Sequence, residues 1–515
     1  MSEYLTFSST PSGKAEGKTH IIIVGAGIIG VCTAYYLTRH PDFSPETHHI
    51  TIIESKRVAG GASGKAGGLL ALWAFPQQIV PLSFKLHEEL AKEYNGEDEW
   101  GYRRLTTVSL EGNIQNLLNN EDDSSSSLED PKKETIQQVE DDDESEVEDE
   151  NDENDGNNDN NNDDDDKVQN NRKKNNNVLE STTKELKTSY PPPKTESSSE
   201  EDVSKSSELK NPPPKKRTVT KNSIKNEHNL PSKNYLPKDL NWIKQDVIQD
   251  WSVLGGRDST AQVHPYKFTN YILRKAMETG AVELILGKVD EIEFSEDTGE
   301  AIGISYIPTK TLGKENEERI SLKGDQTVLT VGPWTSKILP DCPISGLRAH
   351  SITIAPHNGM VSPYAIFTEL KIARMKYVSP EMYARKDEVY VCGEGDTLVD
   401  VPETTDDVEV IKEKCDQLFH YVGKLSPNLS KGHILKRQAC YLPVLDVPSS
   451  SGPLIGETNV ENLYLASGHS CWGINNAPGT GKILAELLLE GETHSADISA
   501  LDPSLYFDAS VLVGE

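Results

Sequence analysis

The chain has 515 residues, which is enough for two or three domains. Its hydrophobic fraction of 35% is low for a fully globular chain, so part of it cannot be buried in a core. The formal net charge of −31 argues against nucleic acid as a partner, because phosphate binding requires a basic surface.

One acidic segment, residues 112–234, carries much of this charge. Residues 140–166 alone contain seventeen acidic side chains and no Lys or Arg. The segment is rich in Asn, Ser and Pro and poor in aromatic residues, so it cannot bury enough apolar surface to offset its chain entropy. We therefore predict a long disordered insert, which is compatible with a protein-binding arm. It also contains a weak nuclear-import-like cluster at residues 214–217.

The amino-terminal part of the chain alternates predicted strands with predicted helices. Residues 20–24 predict a buried strand, followed by a helix that extends from Gly30 to about Arg39. A second buried strand over residues 50–53 ends at Glu54, and residues 76–94 predict an amphipathic helix.

The first strand and the first helix are joined by a G-x-G-x-x-G turn, Gly25-Ala26-Gly27-Ile28-Ile29-Gly30. Its glycines permit a tight turn, the approach of a pyrophosphate and close helix packing. The helix dipole and free N–H groups attract phosphate. Glu54, at the end of the second strand, is placed to accept hydrogen bonds from a ribose diol. The turn predicts a dinucleotide site and disfavours NADP, with FAD and NAD both open.

The rest of the chain continues this alternation beyond the insert. The predicted elements are a helical pattern at 236–254, a helix at 267–279, paired strands at 282–286 and 289–294, strands at 326–331 and 463–466, and a helix at 479–489. Alternating strands and helices at both ends, with mixed strands between them, indicate an α/β fold with a doubly wound sheet.

Three further segments share a pattern with known flavoenzymes. They are the loop at residues 54–68, the strand and turn at residues 328–334, and the glycine-rich turn at residues 463–481. Together they resemble the D-amino-acid oxidase superfamily, the glycine oxidase and sarcosine oxidase branch especially. This resemblance implies FAD, bound by the turn and Glu54 together with Ser55, Ala62, Ser63, Lys65, Gly67, Gly68, Leu69, Val289, Gly332, Trp334, His469, Ser470, Cys471, Trp472, Gly473 and Ile474.

The resemblance also implies a domain organisation. We expect a Rossmann-like FAD-binding domain with a mixed or antiparallel-sheet substrate domain and the long insert. The expected FAD-binding parts are residues 18–75, 235–345 and 434–510, and the expected substrate domain comprises residues 76–111 and 346–433.

Four residues near the expected flavin leave alternatives open. Sarcosine oxidases bond a cysteine to the flavin near the position of Cys440, but Ala439 holds the matching position here. A buried thiol and non-covalent FAD are therefore favoured. Lys65 either assists oxygen reactivity or is a surface lysine. His469 is expected to form hydrogen bonds rather than act as a base, and Arg385 either lies near the substrate or forms a structural ion pair.

The expected substrate follows from two departures from the glycine oxidase branch. The two arginines that hold a substrate carboxylate there align with Leu442 and Cys471 here, and arginine is hard to replace in such a role. A bulkier or less charged amine is therefore expected, oxidised at a C–N bond by hydride transfer to FAD. No catalytic side chain and no metal site are assigned. The alternatives are a flavin-binding regulatory or adaptor protein and an NAD-dependent dehydrogenase.

The expected location is the cytoplasm. The six cysteines are scattered, with no C-x-x-C pair, which suggests free thiols in a reducing compartment. The amino-terminal twenty residues lack the apolar core of a signal peptide, and no apolar run is long enough to span a bilayer.

Overall fold

The computed structural model describes residues 7–122, 235–448 and 452–513. Residues 123–234, with the cluster at 214–217, lie outside the described residues, so the predicted disorder of the insert and its protein-binding role stay predictions.

The described residues form nineteen strands and ten α-helices, numbered in chain order. The strands are β1 (Thr19–Val24), β2 (His48–Glu54), β3 (Leu69–Ala71), β4 (Arg103–Arg104), β5 (Thr106–Asn113), β6 (Ile248–Gly255), β7 (Thr260–Gln262), β8 (Val282–Phe294), β9 (Ala301–Pro308), β10 (Ile320–Lys323), β11 (Gln326–Leu329), β12 (Ile344–Ala355), β13 (Tyr364–Ala373), β14 (Lys376–Val378), β15 (Glu381–Ala384), β16 (Val389–Asp396), β17 (His433–Leu445), β18 (Leu454–Glu457) and β19 (Leu463–Ser467). The helices are α1 (Ile28–Leu37), α2 (Ala62–Lys65), α3 (Val80–Glu93), α4 (Gly96–Glu99), α5 (Gln115–Asp122), α6 (Pro265–Met277), α7 (Thr335–Ile338), α8 (Lys412–Leu425), α9 (Pro427–Ser430) and α10 (Gly473–Glu490). None of these helices is long and apolar enough to cross a membrane.

The first large sheet, the cofactor sheet, has the strand order β10-β9-β8-β2-β1-β11-β19-β18. Its five central strands, β8 to β19 in that order, are parallel, and the three outer strands are antiparallel. Ile21, Ile22 and Ile23 of β1 are fully buried, as expected for a strand covered on both faces. The Rossmann-like sheet predicted from the sequence is confirmed.

Helix α10 lies directly against α1, and it begins six residues before the predicted start at Gly479. A Cβ atom on Gly481 would lie 2.5 Å from a backbone carbon of Cys32, so glycine is needed for this close packing. Pro478 removes one helical hydrogen bond, and the carbonyl group of Ile474 accepts one from His87 Nε2 at 2.8 Å instead. The glycines and proline that suggested a turn are therefore packing residues within a helix.

The second large sheet, the substrate sheet, has the order β17-β12-β16-β15-β13-β5-β6, with β14 beside β13. Strands β13 and β5 are parallel and the other pairs antiparallel, which confirms a mixed substrate sheet. One face packs Ile352 and Val391 against Leu418 and Val422 of α8. The opposite face carries an aromatic cluster that includes Tyr383.

Three segments belong to a different sheet from the one that the predicted domain boundaries imply. Phe84 and Leu90 of α3 pack in the core of the cofactor sheet, although residues 76–111 were assigned to the substrate domain. Strands β6 and β17 belong to the substrate sheet, although residues 235–345 and 434–510 were assigned to FAD binding. These segments differ from the prediction because strand pairing between distant residues determines which sheet they join.

The helical pattern predicted for residues 236–254 is wrong. The segment forms a 3-10 turn at Gln245–Val247 and then β6, which pairs with β5 so that Val253 lies beside Val108. Leu240 and Ile243 are buried in the core under the substrate sheet without forming a helix. Pairing with a distant strand overrides the local periodicity here.

The strand pair predicted at residues 282–286 and 289–294 is a single strand, β8. Its first part pairs with β2 and its second part with β9. The true partner of its second part, β9, begins at Ala301. Gly287 and Lys288, which suggested a turn, continue the ladder with a bulge just beyond them.

The described fold extends past the predicted start of the insert at Gly112. Gly112 and Asn113 belong to β5, and α5 follows them. Ile114 is fully buried, and its N–H donates to the carbonyl of Lys371 at 3.0 Å. Residues 112–122 are therefore part of the fold, because their few apolar side chains fill the core below β13.

Candidate cofactor and substrate site

A cavity of about 440 Å³ lies at the carboxyl ends of the central parallel strands. Doubly wound sheets bind nucleotides at this edge. The turn after β1 contributes Gly25, and the distant turn after β19 contributes His469 and Ile474, so both glycine-rich turns border one cavity. Leu442 of β17 adds a wall from the substrate sheet.

The turn after β1 has the geometry that its glycines predict. Gly25 has φ of +102°, and a Cβ atom on it would lie 2.8 Å from the carbonyl oxygen of Thr330. The N–H of Ile28, at the amino end of α1, donates to Ser63 Oγ at 2.9 Å. The turn, the end of β11 and the loop after β2 are thus drawn together around the end of the cavity.

Glu54 fixes the end of β2 against this turn. Its Oε2 accepts the N–H of Ala26 at 3.0 Å, and its Oε1 accepts the N–H of Lys56 at 3.0 Å. Burial raises the pKa of Glu54, and the hydrogen bonds from Lys56 and Ala26 oppose that rise. The side chain also borders the cavity, which leaves it able to meet a bound ribose.

Most of the residues predicted to bind the cofactor border the cavity. They are Gly25, Gly27, Ile28, Ile29, Glu54, Ser55, Ala62, Ser63, Val289, Gly332, Trp334, His469, Ser470, Cys471, Gly473 and Ile474. Seven others are not part of this wall, namely Ala26, Gly30, Lys65, Gly67, Gly68, Leu69 and Trp472. The first two of these seven form the glycine turn, and the other five lie where the cavity meets the substrate sheet.

Arg385 holds the loop after α2 against the substrate sheet. Its guanidinium donates to the carbonyl groups of Ala66 and Gly67, with the Nε–oxygen distance to Gly67 at 3.3 Å. It also pairs with Glu388 at 2.6 Å and lies 4.9 Å from the ring centroid of Tyr390. Arg385 therefore forms a structural ion pair with Glu388, which was the alternative to a place near the substrate.

Lys65 and Cys440 lie beside each other outside the cavity wall. Burial lowers the pKa of Lys65, whose backbone carbonyl accepts the amide of Gln438 at 2.9 Å. Burial raises the pKa of Cys440 to about 11, and nearby Lys65 opposes that rise. Cys440 is therefore a protonated buried thiol at neutral pH, as the sequence favours.

His469 supports the turn that precedes α10. The side chain is 3% exposed and shares a 3.2 Å hydrogen bond with Thr480 Oγ1. Burial lowers its pKa to about 3, so the ring is neutral at physiological pH. The expectation of a hydrogen-bonding residue fits this environment. The amino end of α10, at Gly473 and Ile474, borders the cavity and directs its dipole there.

An ion-pair group that the sequence did not predict spans the mouth of the cavity. Glu403 receives hydrogen bonds from Lys288, at 2.6 Å, and from Lys337. Those bonds lower the pKa of Glu403 to about 2. We call these three residues the clasp. No sequence pattern could reveal it, because its members come from β8, α7 and the loop after β16.

The sequence also missed two polar residues on the substrate side. Glu381 and Tyr383 lie two residues apart on β15 and share a face, and the hydroxyl of Tyr383 donates to the carboxylate of Glu381. The spacing of Glu381 and Tyr383, two residues apart in a short strand, was the only sequence signal that they share a face. The segments that resemble known flavoenzymes did not include this strand.

The sequence matches the family described as FAD dependent oxidoreductase over residues 20–142 and 218–487, which is more than half of the chain. The chain belongs to this family. Its cofactor is therefore FAD, and the protein is an FAD-dependent oxidoreductase. The cavity fits that cofactor, since it combines a glycine cradle, two helix amino ends and the Glu54 carboxylate in its wall.

Among relatives of this FAD-dependent oxidoreductase is the Saccharomyces cerevisiae protein named "Putative oxidoreductase TDA3", 53% identical over 98% of both chains. The fold is similar to L-amino acid deaminase from Proteus myxofaciens, at 13% identity and a TM-score of 0.56, over 97% of this chain and 95% of that one. It is also similar to glycine oxidase from Bacillus cereus, at 14% identity and a TM-score of 0.54, over 93% and 96%. The Saccharomyces cerevisiae relative carries an oxidoreductase name, and the two solved structures show the fold alone.

Proposed function

We propose that the protein oxidises a C–N bond of a small amine or amino-acid-like molecule, within the glycine oxidase and sarcosine oxidase branch of the family. The observation that carries this proposal is the cavity wall at Leu442 and Cys471, the two positions that align with the substrate arginines of that branch. Among the described residues, no arginine borders the cavity. A wall without a guanidinium favours an amine that carries no carboxylate.

We assign cofactor-binding roles to the residues that border the cavity. The turn after β1 and the amino end of α1 would hold the pyrophosphate, and Glu54 would accept the ribose hydroxyl groups. The turn from His469 to Ile474 would enclose the flavin, with the dipole of α10 at its pyrimidine edge. Bound FAD supplies the hydride acceptor. The protonated state of Cys440 favours non-covalent attachment.

The protein would contribute orientation rather than a dedicated base. The neutral ring of His469 is occupied by Thr480, and Arg385 is occupied by Glu388 and two carbonyl groups. Holding a neutral amine over the flavin is sufficient for hydride transfer, because proximity and the cofactor supply the chemistry.

The test is anaerobic mixing of the purified yellow protein with a panel of amines and amino acids, followed by flavin absorbance. We expect bleaching by amines without a carboxylate and little by glycine or sarcosine. Recovery of colour on admitting air would identify oxygen as the acceptor, which we also propose. Buffer without substrate is the control. Failure of every panel member to bleach the flavin would refute the proposed reaction.

We also propose a cytoplasmic location. All six cysteines are free thiols, and four of them are buried in the described fold. This is typical of a reducing compartment.

A further inference from the structure

Three polar side chains lie beside the cofactor cavity, and we call the region between them the chamber. Glu381, Cys392 and Cys471 all keep part of their surface accessible. Burial is nevertheless the leading cause of a raised pKa for each group. Cys471 borders the cofactor cavity, and its neighbour Trp472 packs in the same aromatic cluster as Tyr383 and Cys392, so these side chains meet between the cavity and the substrate sheet.

This chamber adjoins the cofactor cavity on the side of the substrate sheet. Cys471 borders the cavity and is close enough to Glu381 for the carboxylate to raise the pKa of its thiol. The backbone of Gly67 touches the ring of Tyr383, since a Cβ atom there would lie 2.1 Å from ring carbon Cδ2. The chamber is therefore where a substrate would reach the flavin.

Aromatic side chains form the walls of the chamber. The ring centroids of Trp73 and Trp472 are 5.3 Å apart, and those of Phe75 and Trp472 are 6.1 Å apart. Phe367 lies 6.2 Å from Trp73 and 6.1 Å from Tyr383. Trp73, Phe75 and Phe367 are only partly buried, so part of each ring stays accessible beside the buried cluster. Aromatic faces attract cations, and alkylammonium groups are bound by such walls.

Glu381 is a carboxylate without a protein counter-ion. Its Oε2 accepts the hydroxyl of Tyr383 and the thiol of Cys392, the latter at 3.7 Å. Its Oε1 forms no hydrogen bond with any described residue, and no described Lys, Arg or His approaches the carboxylate within 4.0 Å. Enclosed carboxylates are ordinarily paired. The free oxygen therefore points to a positively charged partner from outside the chain.

We propose that this chamber receives the ammonium group of an amine substrate, with Glu381 as its counter-ion and the aromatic side chains as its walls. The bound ammonium releases its proton to solvent before hydride transfer, so that the neutral amine is the form that is oxidised. This inference rests on the proposed function and narrows its substrate to amines that carry an apolar substituent and no carboxylate. A substrate carboxylate would face Glu381 at short range in a poorly solvated space, which disfavours binding. The competing explanation is a purely structural, protonated Glu381 that binds nothing.

The test measures binding of a cation that cannot be oxidised at the nitrogen position. Phenyltrimethylammonium is titrated into the FAD-loaded protein, and the change in the flavin absorbance spectrum gives its dissociation constant. The uncharged isostere tert-butylbenzene and the anion benzoate are titrated in parallel. We expect phenyltrimethylammonium to bind at least roughly tenfold more tightly than either, because only the cation gains the attraction of Glu381.

Variants then assign the attraction to Glu381. Glu381→Gln should weaken cation binding by roughly tenfold or more and leave tert-butylbenzene binding unchanged. Glu381→Asp keeps the charge and should restore most of the affinity. Glu369→Gln removes an exposed carboxylate from the neighbouring strand β13 and serves as the matched control. The FAD content and melting temperature of each variant show whether it is folded.

The outcomes separate this inference from the proposed reaction. Equal binding of cation and isostere by the wild-type protein would overturn the inference, even if Glu381→Gln did not fold. Unchanged cation binding in a folded Glu381→Gln protein would also overturn it. Cation selectivity without bleaching by any amine would support the chamber and refute the reaction. Bleaching by amines without cation selectivity would support the reaction and refute the chamber.

Discussion

Gly25 is the residue on which the geometry of the cofactor turn most directly depends. Its φ of +102° and the nearby carbonyl oxygen of Thr330 both exclude a side chain. This is a local property, which explains why the sequence alone could identify the turn. The order of the glycines and the strand before them carry the whole signal.

Gly25→Ala should abolish tight FAD binding and lower the free energy of unfolding by about 2 kcal/mol or more, because strain and steric contact add. Cofactor content after gel filtration and chemical denaturation measure the two effects. Gly280→Ala is the matched control, since Gly280 has φ of +74° but nothing within 4 Å of an added Cβ atom. It should lose about 1 kcal/mol and keep FAD. Equal FAD retention in both variants would contradict the assigned role of the turn.

Other site residues could not be found from the sequence, for a physical reason. The proposed role of Glu381 depends on its neighbours Tyr383, Cys392 and Cys471. Strand pairing and the contact between the two sheets bring these residues to it. A lone glutamate in a four-residue strand carries no such information. For Arg385, the sequence identified the residue as a candidate but could not choose between its two roles. The ion pair with Glu388, which only the structure shows, decides between them.

At the scale of elements, predictions succeeded where local periodicity and burial agree. Strand β1 and helix α1 were placed correctly, since both are held by adjacent segments. The prediction failed for β6, where pairing with β5 determines the structure, and for the start of α10. In α10 the glycine and proline residues serve packing against α1 and α3, which only the neighbouring helices reveal.

The clasp joins two elements of the cofactor sheet to the loop that follows β16. Glu403→Gln should speed FAD release a few-fold, because the clasp bridges the cavity mouth, while the melting temperature changes little for so exposed a pair. The rate of FAD release is measured by diluting the protein and following the fluorescence of free FAD. Glu394→Gln, an exposed residue of β16, is the control. A rate equal to that of wild type would show that the clasp does not retain the cofactor.

The clasp also predicts that the rate of FAD release depends on pH. The pKa of Glu403 is lowered to about 2, so its attraction for the lysines is fully present above the ordinary value near 4.5. The attraction is lost as pH falls from about 4.5 toward about 2. Added salt should reduce the same contribution, because the side chains are solvent-exposed.

At the scale of the whole molecule, both domains are assembled from segments that alternate along the chain. The sequence identified the fold class and the cofactor correctly. Residues 76–100, 235–255 and 434–445 pack with a different sheet from the one predicted, because the partners of these segments are far away in sequence.

Removal of the insert tests the boundary that the structure draws. A protein that lacks residues 123–234, joined by a glycine-serine linker of about twelve residues, should bind FAD and melt within a few degrees of wild type. Removal of residues 112–234 should destabilise the protein, because Ile114 is fully buried and Gly112 pairs with Ile248. Cofactor content and thermal melting compare the two. Equal stability of both deletions would place residues 112–122 outside the fold.

The order of strands in the cofactor sheet has a consequence for how the protein is made. Strand β1 emerges first from the ribosome, yet its neighbour β11 and the further neighbour β19 are translated only after most of the chain. The turn from His469 to Ile474, which we propose encloses the flavin, is later still. Complete capture of the vitamin-derived cofactor must therefore follow translation of most of the chain, and newly made protein would gain stability from FAD only after that point.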